Sequence, residues 1–365
     1  MKKRERERER NDTHERALCG DTTTLEWQAL VHCVLTLTPF SPPSPPHTQS
    51  IGPDVIQMVL GSEGMLGIVT EAVFRVHTLP EVQEFGSIVF PTFEAGVAAL
   101  NDIAAQGCFP CSLRLVDNLQ FQFGQVMKSS PKHKLKETLK GHLKKYYLTK
   151  LKGLDLEKIS AATLVFEGTK MRVDTEKKIV FKTIVKYGGF SAGASNGIRG
   201  YFLTFMIAYI RDFALNYHMV CESFETSCPW ANVLALCHET KEVVEQVCTR
   251  EGVLFKPWAS CRVTQSYDTG ACVYFYFAFI TRGLEDPVAT LEAIETAARD
   301  EIIRHGGSLS HHHGVGKLRA PWMEKSVGGP GMAMLRGVKR EIDPKNTMCA
   351  SNLNLVDDGG FEYYS

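Results

Sequence analysis

The segment ACVYFYFAFI, residues 271–280, alternates so regularly that only an extended strand can sort its side chains. Val273, Phe275, Phe277 and Phe279 fall on one face, and Cys272, Tyr274, Tyr276 and Ala278 on the other. The Phe face is expected in a core, while the Tyr face brings hydroxyls that need partners. Comparable strands are read at 86–90, 111–117, 159–168, 218–225 and 260–267. Amphipathic helices are read at 94–107 and 172–187, from Pro229 to Gly252, and from Pro287 to about His305. Pro suits the first helical turn, and Gly107 and Gly252 are stops. Strands come in adjacent pairs as well as around helices. The expected class is therefore α+β, with helices on one face of a largely antiparallel sheet.

Lys+Arg and Asp+Glu each number 41, so no global field favours a nucleic-acid partner. Eleven cysteines at scattered spacings read as reduced, mostly buried thiols. No apolar run is long enough to span a bilayer. Residues 1–50 differ from the rest. An Arg/Glu alternation opens them and a Pro-rich stretch, 38–50, closes them, so they are expected to be disordered around the apolar piece ALVHCVLTL.

Four segments have residues suited to chemistry. GSEGMLGIVTEAVFRV, 61–76, sets three glycines before an apolar strand, either as a tight turn or as a close approach to a ligand. GGSLSHHHGVGKLR, 306–319, has His311, His312 and His313 in tandem. Neighbouring residues in regular structure point apart, and no zinc spacing follows, so no metal is expected. Acid–base work or anion handling by the imidazoles, or a solvated loop, are the alternatives. Arg211, after the apolar run YFLTFMIAYI, needs an anion, with Asp212 and a substrate group as candidates. The lysine-rich 128–153, with Leu135, Leu139 and Leu143 at helical spacing, reads as a solvated helix or as a basic amphipathic helix on anionic lipid.

Five stretches carry a family resemblance: GSEGMLGIVTEA, SLRLVDNLQFQFG, YIRDFALNYHMVCESFETSCPW, CRVTQSYDTGACVYFYFAF and GGSLSHHHGVGKLR. Together, over about residues 53–354, they closely resemble the alkyldihydroxyacetonephosphate synthases, peroxisomal ether-lipid (plasmalogen) enzymes of the vanillyl-alcohol-oxidase, PCMH-type group of FAD proteins. The resemblance implies FAD as cofactor and exchange of the acyl chain of acyl-dihydroxyacetone phosphate for a long-chain fatty alcohol. It implies that Tyr274 is the acid–base residue, that His311, His312, His313 and Arg114 are needed for activity, and that Arg211 holds the substrate phosphate. It implies flavin contacts from Glu63, Gly64, Met65, Leu66, Gly67, Ile68 and Val69. A homodimer, and contact with the peroxisomal membrane, are further implications. Positive charge from histidine and arginine is expected to lower the pKa of Tyr274.

The expected organisation is an atypical segment at 1–50 and the end of an FAD-binding domain at 51–80. A substrate-binding cap at 81–305 follows, and then a segment at 306–365 that returns to the flavin. The family's Gly-rich pyrophosphate loop should precede residue 61, and nothing in 1–50 matches it, so an N-terminal truncation is read. FEYYS at the end is no peroxisomal address. Cys349 and Ser351 stand where the family has glycine and arginine. The rival readings are another FAD-linked oxidase or dehydrogenase acting on a hydroxy acid, and a flavin-free chain that works only by interaction.

Overall fold

A computed structural model of the chain describes residues 29–30, 53, 55–70, 73–74, 78–126, 153–348 and 351–356. The expectation of disorder for 1–50, apart from Ala29–Leu30, and the two readings of 128–152 fall outside these residues. The chain forms two compact units, residues 1–79 with 339–350, and residues 80–338 with 351–365. The histidine loop lies within the larger unit.

In the smaller unit a two-residue strand, β1 (Ala29–Leu30), pairs antiparallel with β2 (Val73–Phe74), and one helical turn, α1 (Ile56–Val59), lies between them in sequence. The larger unit begins with β3 (Val82–Phe90), α2 (Phe93–Ala105), β4 (Ser112–Val116), α3 (Asn118–Val126), β5 (Ser160–Gly168) and α4 (Lys170–Lys186). It continues with β6 (Phe190–Ser191), α5 (Ala194–Leu215), β7 (Met219–Pro229), α6 (Val233–Arg250), β8 (Trp258–Ser266), β9 (Gly270–Ile280) and α7 (Pro287–Arg304). A last helix, α8 (Met323–Ile342), is interrupted at Gly328, whose φ of 74° no helical residue adopts. Strands β3 to β9 form one sheet in the order β6-β3-β5-β4-β8-β9-β7, with every neighbouring pair antiparallel.

Strand alternation gives this sheet two unlike faces. One carries Ile88, Leu113, Leu115, Leu164, Phe166 and Phe224 with the four residues of the β9 Phe face, and it packs with buried residues of α2, α4, α6 and α7. Val273, Phe275, Phe277 and Phe279 are each at most 2% exposed, and fully burying one such Phe contributes about 1.5–3 kcal/mol. Local chemistry fixes the helix ends. The Thr92 hydroxyl accepts from the Ala95 amide at 3.2 Å, and an Asp286 oxygen accepts from Val288 and Ala289 at 2.9 and 3.0 Å. Gly107, Gly252 and Gly306, with φ of 68–79°, follow α2, α6 and α7. Pro229 does not open a helix as expected. It ends β7 opposite Gly270, and a 3-10 turn at Trp230–Asn232 leads into α6.

The other face carries Glu225, Tyr274, Tyr276, Arg262 and Arg114 in register: Glu225 opposite Tyr274, Tyr274 opposite Arg262, and Arg262 opposite Val116. Helix α5 crosses part of this face, so helices cover both faces and not one. A Cβ at Gly197 would meet the Gly86 carbonyl oxygen at 2.4 Å, and one at Gly200 the Thr163 methyl at 2.4 Å. These two glycines set how closely the helix approaches.

Candidate active site

Glu225 organises the site. Alternation in β7 turns its side chain onto the polar face, where it is fully buried. The chain leaving α7 is stitched along β7. The Ser308 amide donates to the Ser227 carbonyl at 2.8 Å, and the guanidinium of Arg299 donates to the carbonyls of Leu309 and Glu225 at 3.0 and 3.3 Å. Residues 310–313 then wrap the Glu225 carboxylate. It accepts the Ser310 hydroxyl at 2.7 Å and the amides of His311, His312 and His313 at 2.6, 3.2 and 2.9 Å. Burial alone would raise its pKa, but the Ser310 hydroxyl and the three amides overcome that and hold it at about 2.

This wrapping explains what tandem histidines do here. In regular structure neighbours diverge, but amides gathered onto one carboxylate make the three rings converge. His311 Nδ1 lies 3.0 Å from His312 Nδ1. Tyr267 Oη lies 2.8 Å from His311 Nε2, and Tyr274 Oη 2.7 Å from His313 Nε2. Burial lowers the pKa of each imidazole below its ordinary value, with Glu225 pulling the other way. The rings are therefore neutral at pH 7. His313 Nδ1 stands 3.9 Å from a Glu225 oxygen. A proton on Nδ1 faces that carboxylate and leaves Nε2 to accept from the Tyr274 hydroxyl.

Tyr274 corrects one expectation. Its pKa is raised, not lowered. Burial dominates; the Ser223 hydroxyl and Arg262 pull down, while Glu225 pushes further up. Neutral imidazoles supply none of the positive charge that the expectation required. Tyr274 is thus a phenol donating to His313, and it loses its proton only as His313 gains one, with Glu225 behind the resulting imidazolium.

The other expected residues divide. The Arg114 guanidinium lies 4.8 Å from the centre of the Tyr201 ring, on the same sheet face. Arg211, near the end of α5, is exposed, and its charge is shared with Glu222 at 3.4 Å and Asp212 at 4.0 Å. Three residues not singled out in the sequence complete the site: Glu225, Tyr267 and Arg262. The signal for two of them was a charged residue inside a strand pattern, in CESFE and in SCRVTQS. Ligand atoms of Glu225, Cys272, His311 and His312 come within 4.8 Å of one another. The Glu225 oxygens already accept four hydrogen bonds, and burial pushes the Cys272 thiol up to about 12. The eight described cysteines are all free. Among the described residues, no helix is long and apolar enough to cross a membrane.

Glu63 to Val69 belong to the smaller unit. Gly61, Glu63 and Gly64 have φ of 80°, 50° and 77°, which curls the chain tightly. Met65 is fully buried, and its carbonyl accepts from Lys339 Nζ at 2.9 Å. Ile68 and Val69 are 68% and 50% exposed. A pinned turn that presents backbone and two apolar side chains fits one wall of a site for an aromatic cofactor.

Residues 79–353 match the family described as FAD linked oxidases, C-terminal domain. The alkyldihydroxyacetonephosphate synthase of Caenorhabditis elegans is 48% identical over 83% of this chain and 51% of its own length. That of Dictyostelium discoideum is 33% identical over 79% and 46%. A solved alkyldihydroxyacetonephosphate synthase superposes with a TM-score of 0.63 at 28% identity, covering 81% of this chain and 50% of that one. A p-cresol methylhydroxylase structure, at 15% identity and a TM-score of 0.53, shares the fold. The chain spans about half the length of the curated relatives it matches. With the match running through both the sheet and the histidine loop, the chain belongs to the family of FAD-linked oxidase C-terminal domains.

Proposed function

We propose that this chain takes part in alkyldihydroxyacetonephosphate synthesis in the peroxisome, exchanging the acyl chain of acyl-dihydroxyacetone phosphate for a long-chain fatty alcohol. The observation that carries the reading is the Tyr274–His313–Glu225 array, a phenol bonded to a neutral imidazole with a buried carboxylate behind it. The name shared by its relatives supports the substrate class. FAD, when bound, supplies the electrophile at the carbon that changes its substituent. Glu63, Gly64, Met65, Leu66, Gly67, Ile68 and Val69 would hold it, through a turn fixed by Met65.

This chain's residues move protons. Tyr274 gives its proton to His313 Nε2, and the phenolate takes a proton from the substrate carbon or alcohol. Glu225 stabilises the imidazolium, and His313 returns the proton when the product leaves. His311 and His312 shape the same loop, Arg114 adds charge to the sheet face, and Arg211 takes the substrate phosphate on leaving Glu222. A homodimer at the peroxisomal membrane belongs to the same reading, and the exposed Tyr209, Phe213 and Tyr217 at the end of α5 support membrane contact.

The test pairs a flavin absorbance spectrum, taken after FAD loading and desalting, with turnover of acyl-dihydroxyacetone phosphate and hexadecanol. Wild type should retain the flavin band and release fatty acid. Tyr274→Phe should retain the band and lose about 100-fold or more in turnover. Turnover persisting in that variant removes Tyr274 from the role, and a folded wild type that neither binds flavin nor turns over ends the reading.

A further inference from the structure

Arg262 stands apart from the other charges of the site. Its guanidinium lies 5.1 Å from the centre of the Tyr274 ring and 4.9 Å from that of Tyr276. Its Nε is enclosed and meets no acceptor, and no carboxylate pairs with it among the described residues. Glu225, on the same face, is saturated by Ser310 and the loop amides. Arg114 repels Arg262 electrostatically, and the charge of Arg262 in turn disfavours protonation of His312. Two positions earlier on the same face of β8, Ser260 is fully buried with a hydroxyl that has no partner. Facing aromatic rings offset part of the cost of an enclosed cation. They give the enclosed Nε–H no acceptor, and a buried donor left without one is costly.

We propose that Arg262, with Ser260 beside it, is an oxyanion-binding site on the polar face of the sheet, beside the Tyr274 and Tyr276 rings. The planar fork of arginine takes two oxygens of one group, which suits a phosphate or a carboxylate equally. Under the function proposed above, the substrate has both: its phosphate, which Arg262 would share with Arg211, and the carboxylate that departs with the acyl chain. The site rests on that reading only for the origin of the anion.

The experiment is calorimetric titration of the whole chain, at low ionic strength in chloride buffer, with inorganic phosphate in one arm and hexanoate in the other. Wild type should bind at least one of them. Arg262→Gln should bind it at least tenfold more weakly, and Arg262→Lys should show a partial loss, because it keeps the charge without the fork. Without either anion, Arg262→Gln should melt no lower than wild type, since an uncompensated charge has been removed. The arm that depends on Arg262 identifies the class of anion. The proposal is overturned if wild type binds neither anion, if folded Arg262→Gln binds as tightly as wild type, or if that variant melts several degrees lower in chloride. A failed turnover assay beside intact Arg262-dependent binding would overturn the enzymatic reading alone.

Discussion

At the scale of single residues, Glu225 and the histidines it gathers are 86 to 88 positions apart in sequence. Such a pairing leaves no local mark, so His311, His312 and His313 were legible as chemistry while the group that arranges them was not. The same holds for Arg262, whose isolation exists only once β4, β8 and β9 are side by side. The carboxyl of Glu225 titrates at about 2 in the fold against an ordinary 4.5, a difference of roughly 3 kcal/mol. A lowered carboxylate pKa contributes stability that is complete above 4.5 and is lost as pH falls toward 2. The histidines act in the same direction at higher pH. They are held neutral in the fold, so their contribution is complete above 6.5 and declines as the solution acidifies. Glu225→Gln keeps the shape but offers one acceptor oxygen and an NH2 group to donors. It should unfold about 2–3 kcal/mol more easily at pH 7, and the difference from wild type should shrink between pH 4.5 and 2. Urea unfolding across that range is the check, and parallel pH profiles for the two proteins would refute it.

At the scale of elements, β3, β5, β7, β8 and β9 were readable because alternation is a local property, and α2, α4 and α7 because their caps and stops are. Helix α5 was not read as a helix. Its run YFLTFMIAYI shows no polar face to mark a period, and the reason it packs where it does lies in Gly197 and Gly200, which have no side chain to show in a pattern. Placing alanine at an exposed helical glycine gains about 0.5–1 kcal/mol. At Gly197 the sign should reverse, because the new methyl meets the backbone oxygen of Gly86 at 2.4 Å, and backbone inside a paired strand cannot turn aside. We expect Gly197→Ala to destabilise by about 1–3 kcal/mol. Gly200→Ala meets a Thr163 methyl that can rotate, so its cost should be smaller. Denaturant midpoints would test this order. Gly197→Ala more stable than wild type would show that α5 does not rest on the strand, and the placement of Tyr201 over Arg114 would lose its basis.

At the scale of the whole molecule, the sequence predicts that the segment from 306 returns to the flavin part ending at 80. The smaller unit has its own centre, drawn from residues 1–79 and 339–350. Lys339 is fully buried there, donating to the carbonyls of Met65 and Met348 at 2.9 and 3.0 Å and to the carboxylate of Asp343. Asp343 in turn accepts from the amides of Thr347 and Met348, both at 2.9 Å. Lysine is almost never fully buried without such partners, so no pattern of exposed and apolar positions could have marked it. Met65 and Lys339 are 274 positions apart, so the turn at 61–69 depends on residues near the other end of the chain. Lys339→Met fills the same space but leaves Asp343 without its cation and the Met65 carbonyl without its donor. Breaking a buried pair in this way costs about 3–5 kcal/mol, here confined to the smaller unit. Amide hydrogen exchange should therefore quicken in Lys339→Met at the Met65 amide, which donates to Ser62 at 2.8 Å, while amides of β8 and β9 keep their protection. If flavin is held by this turn, retention of the absorbance band should fall in the same variant. Unchanged exchange at Met65 would mean that the turn stands without Lys339, and a flavin seat there would need another anchor.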